Sequence, residues 1–279
     1  MYYFLSIVGN FIDNMFTGSA ANMLDKAMGV QKMSAIQSLT QFTNQSSTFT
    51  QFWTIINNAL GIVKPFGYAL ITTYFLMYLF DAAAKDQVTV DSLIKVLIHL
   101  VLIIALIKNL DTIVNTLLSI SDSLITKFAG NNTDSTSGAK LTGEQIVASW
   151  KKNGSDSAMT IWFQSILISL VAKISTVAIT FAAITRAIEV GWRIIFCPIG
   201  LANCFEGGAN SKGIQYLKTL GVCILSGAAI YITATVGYSL VSGYLGSAKD
   251  EGSLWIAVAA MLGTAGATIG VGNKIRDLA

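Results

Sequence analysis

The sequence predicts an all-α fold: a polytopic integral membrane helical bundle of about five spans, with a re-entrant or interfacial hairpin and N-terminal amphipathic helices. Two uncharged runs carry most of that prediction, Thr219 to Ala248 and, after the polar break Lys249-Asp250-Glu251, Gly252 to Asn273. A hydrocarbon core of about 30 Å takes roughly 20 residues of helix, so both runs are long enough. Inside lipid the backbone must bond to itself, which a helix does. Composition agrees: the 279 residues are 53% hydrophobic and 12% charged, with a mean hydropathy of +0.61, whereas about 25% of residues are charged in a soluble domain.

The same numbers exclude several classes. A net charge of +3 does not make the concentrated basic surface of a nucleic-acid-binding domain. Cys197, Cys204 and Cys223 are odd in number, lie in apolar surroundings and lack CxxC spacing, so they read as small core residues rather than as a disulfide framework or a zinc site. His99 is the only histidine, which removes every site that needs two imidazoles. The Gly207 to Gly213 segment carries Lys212 without the order of a phosphate-binding loop. No enzymatic site and no cofactor is expected.

Met1 to Val8 is apolar without a basic residue before it, so a retained N-terminus is expected rather than a cleaved signal. Tyr2, Phe4, Leu5, Val8, Phe11, Ile12, Met15 and Phe16 recur at helical spacing opposite Asn10, Asp13 and Asn14. Met33, Ile36, Leu39 and Phe42 do the same within the polar stretch Gln31 to Gln51, ahead of a polar break at Asn44 to Thr50. Residues 1–60 are therefore read as an amphipathic helical region that does not span. Residues 61–110 hold the first two spans: one from Pro65, a residue suited to a first helical turn, to Phe80, and one from Asp91 to Leu110, interrupted by Lys95 and His99. Residues 111–157 are too hydrophilic for lipid and read as a polar extracytoplasmic loop. Inside it Thr142-Gly-Glu-Gln145 is a capping box that opens a short helix through Ile146, Val147 and Trp150.

Residues 158–279 form the C-terminal membrane part. Ala158 to Thr185 is a span with one charge, Lys173. From 186 to 218 the pattern is mixed, and the apolar stretch Ile194 to Ala202 is too short to cross. This is the predicted hairpin, with Pro198, Lys212, Tyr216 and Lys218 as its marked residues. The two uncharged runs complete five spans. Basic residues gather at Arg186 to Lys218 and at Lys274 to Arg276, which places those regions and the C-terminus in the cytoplasm and the N-terminus outside.

Three groups of residues suggest roles. Arg186, Glu189 and Arg193 share one helical face, as a solvated surface, a partner-docking surface or a structural ion cluster that closes the bundle. Lys173 and His99 are intramembrane polar groups, and such groups commonly face a bundle interior or cavity. Gly266 and Gly270 form a GxxxG step for helix packing, within the chain or between copies of a homo-oligomer. No inverted repeat of the transporter kind is visible.

Arg186-Ala-Ile-Glu-Val-Gly-Trp-Arg193, Phe196-Cys-Pro-Ile-Gly-Leu-Ala202 and Gly213-Ile-Gln-Tyr-Leu-Lys218 together resemble the TrbL-type polytopic subunit of conjugative type IV secretion systems, in its Gram-positive-like form. Elsewhere the likeness is one of architecture. The resemblance implies a multi-pass component of a bacterial inner or plasma membrane, part of the wall or platform for DNA and protein translocation, and not an enzyme. Its partners would be secretion ATPases, other secretion membrane subunits, membrane lipid and, transiently, single-stranded DNA with its relaxase. An autonomous small-solute or ion transporter using Lys173 and His99, and an assembly scaffold without a lumen, are the alternatives.

Overall fold

A computed structural model describes residues 2–28, 36–41, 47–85, 89–135, 142–152, 158–205, 211–247 and 251–276. Its elements are helices in the order α1 (Tyr2–Met28), α2 (Ser47–Ala84), α3 (Val90–Lys108), α4 (Leu110–Ser135), α5 (Gly143–Lys152), α6 (Ala158–Ala202), α7 (Lys212–Ser247) and α8 (Glu251–Arg276). Residues 36–40 add a short helical piece. Among the described residues five segments are long and apolar enough to cross a membrane: Phe49–Ala84, Val90–Lys108, Ala158–Ala202, Lys212–Leu245 and Trp255–Gly272. The protein is thus an all-α bundle of membrane-spanning character, with the five spans expected.

The chain packs as two compact units. The first takes Met1–Leu39, Ile125–Ala183 and Ala229–Val271. Its core joins Leu24 of α1, Ile146 and Trp150 of α5, Ile161 and Ile168 of α6, Leu245 of α7 and Met261 of α8. The buried face of α1 is Ala20, Ala21, Leu24 and Ala27; Phe11, Ile12 and Met15 of the amphipathic stripe are exposed. The small residues let α5 come close, and only glycine fits at position 143, where a Cβ would collide with the Ala21 carbonyl oxygen. The capping box forms as expected: the Gln145 amide donates to Thr142 Oγ1 (3.3 Å) and the Thr142 amide to Gln145 Oε1 (3.1 Å). Asp25 adds a cap from another helix, accepting from the Gly143 amide at 2.6 Å, where the helix N-terminus favours a carboxylate.

The second unit takes Thr40–Leu124, Ile184–Ala228 and Gly272–Ala279. Within it α2 and α4 are tied by Lys64 Nζ to Asp111 Oδ2 at 2.5 Å. Helix α3 starts on a capping box of Thr89 and Ser92 and ends at Asn109, whose backbone and side-chain nitrogens both donate to the Ala105 carbonyl.

Three expectations are corrected. The first span does not start at Pro65: α2 begins at Ser47 and runs on through Pro65. Proline removes one intrahelical bond, a loss that membrane helices tolerate where neighbours satisfy the freed carbonyl. The Ser47–Thr50 part of the predicted polar break belongs to this helix; residues 42–46 lie outside the described residues. Nor is the region 111–157 a loop. It holds most of α4 and all of α5, and Leu110, Val114, Leu118 and Ile125 bury one side of α4. Asn, Thr and Ser between these positions lowered the mean hydropathy and hid a helical period.

The predicted hairpin at 186–218 is the third correction. Helix α6 continues without interruption from Ala158 to Ala202, through Pro198, so Ile194 to Ala202 is the end of a long helix and not a separate re-entrant element. Its last turn tightens through the Asn203, Cys204 and Phe205 amides, which donate to the carbonyls of Gly200, Leu201 and Ala202. Ser211 then caps α7, its Oγ accepting from the Ile214 amide. The marked residues divide accordingly: Pro198 is buried in α6, while Lys212, Tyr216 and Lys218 lie in the first turns of α7.

Candidate functional site

Arg186, Glu189 and Arg193 follow one another at i, i+3 and i+7 along α6, so successive turns place one carboxylate between two guanidiniums. Arg186 Nη1 donates to Glu189 Oε2, and Arg193 donates to Glu189 Oε1 through Nη2 (3.1 Å) and Nε (3.3 Å). The three side chains are 10%, 20% and 19% exposed, which departs from a solvated helix face. Ions so far from water need partners for both charge and hydrogen-bonding capacity, and each Glu189 oxygen has one.

The cluster is enclosed by other helices of the same unit. Gly272, near the end of α8, lies against the Arg186 guanidinium, and a Cβ there would collide with it. Tyr216 of α7 donates its hydroxyl to the Arg193 carbonyl at 2.7 Å, a bond available because Gly200 gives its ring room beside α6. Phe52 and Ile56 of α2 press on Gly191. About two turns further along α6, Gly67 of α2 meets Pro198, and a Cβ at 67 would stand 3.0 Å from the Pro198 carbonyl oxygen. The α6 end is also pinned to α2 by Tyr74, whose hydroxyl donates to Asn203 Oδ1 (3.1 Å), and by Phe75 and Tyr78 edge-on to Phe205. Cys197, Cys204 and Cys223 are free and buried. A thiol in this packing is a filler, and Cys204 Sγ lies against Gly213.

The intramembrane polar residues behave differently. His99 and Lys95 are exposed on α3 and Lys173 is exposed on α6. Lys173 stands beside Leu170, Ile174 and Val177, which are 58%, 54% and 68% exposed. Among the described residues no hydrogen bond or ion pair reaches any of the three. A cleft in the first unit is lined by Ala172, Ser175, Tyr238, Val241, Met261 and Thr264. Its polar atoms are hydroxyls already engaged: Ser175 donates to the Met261 carbonyl, Thr264 to the Ala260 carbonyl, and Tyr238 bonds to Thr176. Neither Lys173 nor His99 lines it.

Gly266 and Gly270 make no close contact within the chain: a Cβ at either would meet nothing within 4 Å. The glycine at which α7 meets α8 is Gly237, against the Thr264 side chain. Gly237 sits in no GxxxG step, so its role was not legible from spacing. The Lys64–Asp111 pair was equally hidden, because the two residues are 47 positions apart.

No group of three or more histidines, cysteines, aspartates or glutamates that could hold a metal ion occurs among the described residues. Fold and site together define a class: a helical membrane bundle whose most organised polar feature is a part-buried ion cluster on one helix, packed against its neighbours. No family model, curated protein or solved structure matches this chain.

Proposed function

We propose that this protein is a plasma- or inner-membrane subunit of a conjugative type IV secretion apparatus, contributing to the wall or platform through which relaxase-bound single-stranded DNA passes. The observation that carries the reading is that the first two TrbL-like stretches, Arg186 to Ala202, belong to one helix too long for a bilayer. Helix α6 has 45 residues, which at about 1.5 Å per residue run to about 67 Å. A bilayer with its headgroups is about 45 Å thick. Even a tilt of about 40°, the upper end for membrane helices, leaves several ångströms of α6 outside. Such an overhang is suited to docking other subunits and ATPases, and the ion cluster stiffens it from within.

The transporter alternative would use Lys173 and His99 as groups lining a path. Their outward exposure and the uncharged cleft favour the subunit reading. The subunit makes and breaks no bond, takes its energy from partner ATPases and acts in several copies. Deletion is expected to abolish conjugative DNA transfer while growth and solute uptake stay unchanged. Purified protein that alone moves a solute across liposomes, and loses that activity with Lys173→Met, would overturn the reading.

The proposed orientation has the N-terminus outside and the C-terminus in the cytoplasm, supported by the basic residues at 186–218 and 274–276. In a cysteine-free background, Lys152→Cys should react with an impermeant thiol reagent in intact cells and Lys212→Cys only after permeabilisation. The reverse pattern inverts the topology.

A further inference from the structure

We draw no further inference here: the strongest candidate, the exposed apolar stripe that runs along α6 from Phe163 to Ile188, carries nothing because nothing in the structure shows what covers it.

Discussion

Two sets of charged or polar residues interrupt the apolar helices of this protein, and they are handled in opposite ways. Arg186, Glu189 and Arg193 are drawn inside and neutralise one another, while Lys95, His99 and Lys173 are left facing outward without partners among the described residues. The difference lies in spacing. A carboxylate one turn from each of two arginines can be satisfied within a single helix, before any other helix is in place. His99 and Lys173 have no acid at i±3 or i±4 and depend on whatever packs beside them, while Lys95 has Asp91 at i−4 but forms no ion pair with it. The first set therefore belongs to the architecture of the fold, and the second is exposed on its surface.

The comparison can be broken most directly at Glu189. Glu189→Gln removes the carboxylate that both guanidiniums bond in a site of low exposure, and a loss of about 3–5 kcal/mol of stability is expected, measured as a fall in the denaturant midpoint in detergent micelles. A midpoint that does not move would mean that the cluster is open to water. Replacing all three residues together by Met, Leu and Met is expected to recover most of that loss, since packed apolar groups commonly match a buried ion triad.

Gly272→Ala is the next largest effect. The new Cβ would collide with the Arg186 guanidinium, and overpacking of this kind costs about 1–3 kcal/mol. Gly270→Ala, two residues earlier with nothing within 4 Å, serves as the control and should be neutral or slightly stabilising. Equal effects at the two positions would remove Gly272 from the cluster. The smallest effect is expected at the outward set: Lys173→Met should change the stability of the purified protein by less than about 0.5 kcal/mol. A larger loss would mean that Lys173 has an internal partner.

Much of the fold was legible because lipid imposes a simple rule. The uncharged runs at 219–248 and 252–273, and the spans near 65–80, 91–110 and 158–185, each correspond to an observed helix. The capping box at Thr142 was readable because its two hydrogen bonds are local. Helix α4 was missed because hydropathy averages over a window, and its buried stripe is diluted by polar residues on the other faces. The continuity of α6 was missed for a related reason: charges at 186, 189 and 193 look like an exit from the membrane unless they are known to cancel, and Pro198 looks like a stop.

The sequence by itself determined the class of the fold and the pairing that makes Arg186, Glu189 and Arg193 one unit, because burial in lipid and i, i+3 or i+4 contacts depend only on residues close together along the chain. Only the tertiary structure decided that the cluster lies under Gly272 and Tyr216, that Lys64 meets Asp111 and that α7 meets α8 at Gly237 rather than at Gly266 or Gly270. Those contacts join residues tens of positions apart. Which of many apolar or small residues meets another depends on how helices cross, and no local period records that.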